Sequence, residues 1–118
     1  MRVLVIEDNE ANAYLARFLL ERRGHSVAVA TTGAAAVAMA RMGEYDVILL
    51  DLSLPDGDGY EFARQLWSHA VPIVVVSAHA LVADRRRAIE VGCRAFMEKP
   101  IDVASFVDRI EATVAGAT

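Results

Sequence analysis

Four short apolar runs punctuate this chain, and each stops at a polar residue. They are Val3-Leu4-Val5-Ile6 before Glu7 and Asp8, Val47-Ile48-Leu49-Leu50 before Asp51, Ile73-Val74-Val75-Val76 before Ser77, and Ala95-Phe96-Met97 with Lys99 two residues on. Runs such as 47–50 and 73–76, apolar on both sides and rich in β-branched residues, suit central strands of a parallel sheet covered by helices on both faces. Between the runs the apolar spacing turns helical. Ala11, Tyr14, Leu15, Phe18 and Leu19 fall at i, i+3, i+4, i+7 and i+8, and Val103, Phe106, Val107 and Ile110 repeat the motif. The pattern predicts strands near 2–6, 26–30, 46–51, 72–77 and 95–97. It predicts helices near 10–23, 33–42, 59–68, 82–91 and 103–114. The segment 82–91 has no clean apolar stripe and reads as loosely held.

Punctuation agrees. Gly24, Gly43 and Gly92 stand where helices should end in a left-handed residue. Thr32, Asp58 and Asp102 stand where N-caps belong, and Asp58 with Glu61 has the spacing of a capping box. A length of 118 residues favours one domain, 1–118, large enough for a real core. The net charge of −4 leaves no footprint for direct nucleic-acid binding. The one basic cluster, Arg85-Arg86-Arg87, reads as a solvated helix face. Cys93 is the sole cysteine, so no internal disulfide forms, and it reads as a small core residue. No leader and no run long enough to span a bilayer is visible, so a cytoplasmic protein without membrane insertion is expected.

Strict alternation of β and α elements implies an α/β, doubly wound, five-stranded parallel sheet of order 2-1-3-4-5 with helices on both faces. Ligands of such sheets bind at the carboxyl ends of the strands, where the strand order reverses. Asp8 follows the first strand there and Asp51 ends the third. Glu7, Asp8 and Asp51 would crowd three negative charges together unless a cation neutralises them, and a hard divalent ion such as Mg²⁺ does so with oxygen ligands. The competing reading is that Asp8 or Asn9 only caps the first helix. Asp51 ends a fully apolar strand, where an ionised carboxylate is costly unless paired or metal-bound. A carboxylate can also accept a phosphoryl group as an acyl phosphate. Lys99 could then offer a compact charge to phosphoryl oxygens and Ser77 a hydrogen bond. Lys99 is the only lysine beside eleven arginines. A site that rejects the planar guanidinium would explain that bias.

At this point the residues resemble the receiver domain of bacterial two-component response regulators, with its flavodoxin-like, chemotaxis-regulator-like fold. The matching pieces are Val5-Ile6-Glu7-Asp8-Asn9, the segment from Leu50 to Gly59, Ser77-Ala78-His79 and Glu98-Lys99-Pro100-Ile101, in order and across essentially the whole chain. The resemblance implies that Asp51 is the phosphorylated aspartate. It implies that Glu7, Asp8, Asp51 and the backbone carbonyl of Ser53 hold Mg²⁺. Ser77 would move toward the phosphoryl group, Lys99 would pair with it, and Phe96 would occupy the aromatic switch position. A cis peptide would join Lys99 to Pro100, as X-Pro bonds permit. Ser53 and His79 would flank the attacking water and tune phosphoryl lifetime.

The expected function is a phosphorylation-controlled switch in a two-component or phosphorelay pathway. A histidine kinase or a histidine phosphotransfer protein would be the donor, a downstream protein the target, and Mg²⁺ the cofactor. The Met1 start and the end just past the last helix suit a single-domain regulator, and equally a receiver excised from a longer protein. A switch that promotes its own phosphorylation and dephosphorylation, not a conventional enzyme, is expected. Three alternatives stay open. A degenerate receiver would never be phosphorylated, although Glu7, Asp8, Asp51, Ser77 and Lys99 all match. An aspartyl-phosphate phosphatase would want an aspartate where Ser53 stands. A flavodoxin-like cofactor binder would want a Ser/Thr/Gly-rich phosphate loop where Glu7-Asp8 stand.

Overall fold

The computed structural model of the chain describes residues 1–67, 70–78 and 82–116. Strands β1 (Arg2–Ile6), β2 (Ser26–Ala30), β3 (Val47–Leu50), β4 (Ser53–Leu54), β5 (Gly57–Asp58), β6 (Ile73–Ser77) and β7 (Ala95–Glu98) alternate with helices α1 (Glu10–Arg22), α2 (Gly33–Met42), α3 (Gly59–Leu66), α4 (Val82–Glu90) and α5 (Phe106–Val114). Five strands form one parallel sheet in the order β2-β1-β3-β6-β7, the doubly wound topology expected. β4 and β5 form a separate antiparallel hairpin that the run analysis did not foresee. Two-residue strands carry too few side chains to show a period.

Alternate residues of each central strand feed two cores, as the pleat requires. Val3, Val5, Leu49, Val74 and Val76 pack with Ala16 and Leu20 of α1 and Phe106, Val107 and Ile110 of α5. Leu4, Ile6, Ile48, Leu50, Ile73 and Val75 pack with Ala36 of α2, Tyr60, Ala63 and Leu66 of α3 and Ala88 of α4. Helices thus cover both faces. No described helix is long and apolar enough to cross a membrane.

Several local expectations change. The buried face of α1 is Ala13, Ala16 and Leu20, whereas Tyr14 is 69 % exposed and Phe18 43 %. Small residues let this helix approach the sheet. The two rings, 6.1 Å apart, instead stack on each other in the i, i+4 relation on the solvent side. The last helix starts at Phe106, not 103. Asp102 accepts from the Ser105 hydroxyl at 2.7 Å and from Ala104 N–H at 3.3 Å, so it organises a preceding turn rather than capping the helix itself, and Val103 is left exposed. Gly24 and Gly92 are left-handed, with φ of 87° and 96°, but Gly43 ends α2 in an extended conformation. α4 buries only Ala88, in line with its missing stripe.

The hairpin lies directly after Asp51, and its return into α3 passes against its own outgoing backbone. A Cβ on Gly59 would stand 2.7 Å from Leu52 Cα and 2.9 Å from the Leu52 carbonyl oxygen. Those are main-chain atoms that cannot rotate aside. Gly59→Ala is therefore expected to destabilise the chain by about 1–3 kcal/mol, the usual cost of overpacking. A urea titration of wild type and variant checks this, and a midpoint shift near zero contradicts it.

Candidate functional site

β1 and β3 are neighbours with Ile6 opposite Leu50, so the residues that follow them, Glu7 and Asp51, emerge side by side. Each is held in place by one further main-chain hydrogen bond. Glu7 N–H donates to the Ala30 carbonyl at 2.9 Å and Asp51 N–H to the Ile6 carbonyl at 3.0 Å. Glu7 is 5 % exposed and Asp51 6 %. Asp8, one residue on, is exposed. Asn9 caps α1, with its side chain accepting from Asn12 N–H at 3.0 Å, which leaves the Asp8 carboxylate free of that task. One carboxylate oxygen from each of Glu7, Asp8 and Asp51 lies within 4.8 Å of the others.

Lys99 enters from the end of β7, and its N–H donates to the Ser77 carbonyl at 2.9 Å. The peptide joining it to Pro100 is cis, as expected. Lys99 Nζ donates to Glu7 Oε1 at 2.5 Å and to Asp51 Oδ2 at 3.0 Å. The other Asp51 oxygen, Oδ1, accepts from Ser53 N–H at 3.0 Å. Ser77 ends β6 and is wholly buried. Phe96 is half-buried, with the Arg85 guanidinium 5.0 Å from its ring centre. His79 lies outside the described residues.

Charge is unequally shared in this cluster. Burial, with a hydrogen bond to Asp51, pushes the Glu7 carboxyl up to about 7 despite Lys99. Burial acts the same way on Asp51, but hydrogen bonds from Glu7, Ser53 N–H and Lys99 hold it below the usual carboxylate range. Burial would lower Lys99, but the hydrogen bonds to Glu7 and Asp51 raise it. These opposite shifts favour the proton on Glu7 over Asp51. Oxygen donors that repel one another until a cation or proton intervenes fit a hard divalent ion. Cys93, by contrast, is buried in the core with its thiol pushed up to about 11, the state of an inert structural cysteine.

The spacing of residues did not point to Asp56, Asp58 and Arg87 as parts of this region. Asp56 accepts from Gly33 N–H at 2.8 Å and Ala34 N–H at 3.0 Å, fastening the hairpin to the start of α2. Those hydrogen bonds hold its carboxyl below the usual range. Partners 22 and 23 residues apart leave no periodic signal.

Comparison with known proteins identifies the family. The response regulator receiver domain family matches residues 3–111, and the chain belongs to that family. The polar-differentiation response regulator DivK of Brucella ovis is 34 % identical over 119 residues, covering 98 % of this chain and 97 % of DivK. The aerobic respiration control sensor protein ArcB of Escherichia coli is 37 % identical over 116 residues, covering 94 % of this chain but only 15 % of ArcB. A two-component response regulator from Clostridium difficile superposes with a TM-score of 0.93 at 22 % identity, over 100 % of this chain and 98 % of that one, which speaks to the fold alone. The chain is thus a receiver domain of two-component signalling.

The proton on Glu7 has a measurable consequence. Its folded value of about 7 exceeds its ordinary 4.5, so its contribution to the stability of the metal-free chain is full below about pH 4.5 and lost as pH rises through 7. Asp51 has the opposite sign and contributes only above its ordinary 3.8. Between about pH 5 and 8 the metal-free wild type should therefore lose stability, whereas Glu7→Gln should stay nearly flat. Urea midpoints measured in chelator across that range test this, and parallel profiles would refute it.

Proposed function

We propose that residues 1–118 act as a single phosphorylation-controlled switch, with Asp51 as the phosphoryl acceptor. The observation that carries this is the pairing of a buried, low-pKa carboxylate with one lysine and two further carboxylates at the edge of the sheet. Glu7, Asp8, Asp51 and the Ser53 carbonyl would hold Mg²⁺, which supplies neutralising charge to the transferring group. Asp51 Oδ2 attacks the phosphorus of a phosphohistidine on a kinase or phosphotransfer protein. The P–N bond breaks as the P–O bond forms, and no electrons change hands. Asp51 suits attack because its hydrogen bonds keep it ionised. Ser53 N–H fixes its other oxygen, so that the attacking oxygen is oriented before the donor arrives.

The added charge of about −1.5 to −2 then competes with Glu7 for Lys99 and draws the Ser77 hydroxyl. Movement of Ser77 and Phe96 would pass the change to α4, which buries one residue and is the least anchored helix. The output is altered affinity for a protein partner, and the setting is the cytoplasm. Phosphoryl gain and loss occur on the protein itself, so this is a switch rather than a conventional enzyme. His79 would help set how long the phosphoryl group survives.

The degenerate-receiver reading is the rival to beat. Incubation with acetyl phosphate and Mg²⁺ should add the mass of one phosphoryl group to wild type and none to Asp51→Asn. A gain that survives Asp51→Asn defeats the proposal. Lys99→Arg should slow the gain about tenfold or more, because a charge-assisted hydrogen bond to a buried carboxylate is lost or misplaced. Stopped-flow or quenched mass spectrometry reads that rate.

A further inference from the structure

The run Arg85-Arg86-Arg87 looks in sequence like one solvated face, but the structure divides it. Arg85 turns toward β7, 5.0 Å from the Phe96 ring centre and 3.6 Å from Glu98 Oε2. Arg87, two residues on, lies about 200° around the helix and turns the other way. Its guanidinium sits 4.3 Å from the Tyr60 ring centre, and Nη2 donates to Asp58 Oδ2 at 3.1 Å. The Tyr60 hydroxyl completes the contact by donating to the Asp84 carbonyl at 3.1 Å.

Asp58 is not an ordinary surface acid. Its Oδ1 caps α3 by accepting from Tyr60 N–H at 2.9 Å, and its backbone pairs with Ser53 in the hairpin. Ser53 N–H is the donor that fixes Asp51 Oδ1. Besides Leu54 in the core, polar contacts among the described residues attach the hairpin to Asp51 through Ser53, to α2 through Asp56, and to α4 through Asp58. Ser53, which holds Asp51 Oδ1, is thus the strand partner of Asp58.

We propose that Asp58 and Arg87 tether α4 to the acceptor carboxylate through the β4–β5 hairpin, as a line of coupling separate from Ser77 and Phe96. This rests on Asp51 being the phosphoryl acceptor. Neither residue touches the reacting atoms, so both are positioning residues. An exposed ion pair with a cation–π contact is modest, so the tether tunes the response of α4 rather than creating it.

Two variants isolate it. Asp58→Asn keeps an oxygen for the Tyr60 N–H and removes the charge facing Arg87, since Asn is also a good N-cap. Arg87→Gln removes the charge and the ring contact from the other side. Hydrogen exchange of the full chain is measured with and without beryllofluoride and Mg²⁺. In wild type, amides of α4 and of residues 52–54 should change on ligand addition. In each variant the α4 change should shrink about two- to fivefold, the range an exposed ion pair supports. The β7 amides should respond as in wild type, and the double variant should go no further than Arg87→Gln alone, as for a shared contact. An α4 response equal to wild type, or additive losses in the double variant, overturns the tether while leaving Asp51 as acceptor. Failure of wild type to bind beryllofluoride, together with no mass gain from acetyl phosphate, overturns the acceptor reading and the tether with it.

Discussion

The interaction on which the rest depends is the one between Lys99 and the two buried carboxylates of Glu7 and Asp51. Two buried carboxylates following the apolar runs of adjacent strands would be costly without a counter-charge. One ammonium between them helps hold Asp51 ionised, while burial and the hydrogen bond to Asp51 raise the Glu7 carboxyl. The pairing also pins the end of β7 against the ends of β1 and β3, so chemistry and sheet geometry share the same contacts. An incoming divalent ion or phosphoryl group would alter the terms on which Lys99 is shared. Such an arrangement can respond to charge because it is balanced rather than saturated.

Around that cluster the chain is held unevenly. The strands of the centre and helices α1 and α5 are anchored by large buried side chains such as Leu20, Phe106 and Ile110. The α4 helix has only Ala88 buried and relies on surface contacts at its flanks, Arg85 toward β7 and Arg87 toward the hairpin. An element held by weak, exposed contacts is the one most easily re-equilibrated by a small change in energy. The hairpin, by contrast, has backbone-tight packing at Gly59, and Asp56 accepts two hydrogen bonds from the start of α2. It is a tightly packed piece between Asp51 and the lightly anchored α4.

The site was unusually legible because parallel α/β sheets gather their ligands at strand ends. Glu7, Asp51, Ser77 and Lys99 each follow or end an apolar run, so their convergence could be argued from topology. Asp8 was ambiguous until Asn9 proved to be the cap. Less legible were features set by contacts distant in sequence. Nothing in the local pattern says that Asp56 accepts from the first N–H groups of α2, that Arg85 and Arg87 part company, or that α1 buries its alanines and exposes Tyr14. A helical stripe of large apolar residues marks a face, but the space left above a sheet decides whether bulk or closeness wins there.

The order of apolar runs and their polar endings by itself determined a parallel, doubly wound sheet with an acidic site at its carboxyl edge, because strand period, crossover handedness and the cost of burying charge leave few other arrangements. Only the tertiary structure decided how that site is balanced and where it is attached. Which carboxylate keeps the proton depends on burial and on the 2.5 Å and 3.0 Å contacts of Lys99. How α4 is attached at its two flanks depends on ion pairs that cross the fold from Asp58 to Arg87 and from Glu98 to Arg85. Such contacts join residues with no fixed sequence spacing, so their geometry exists only once the layers have packed.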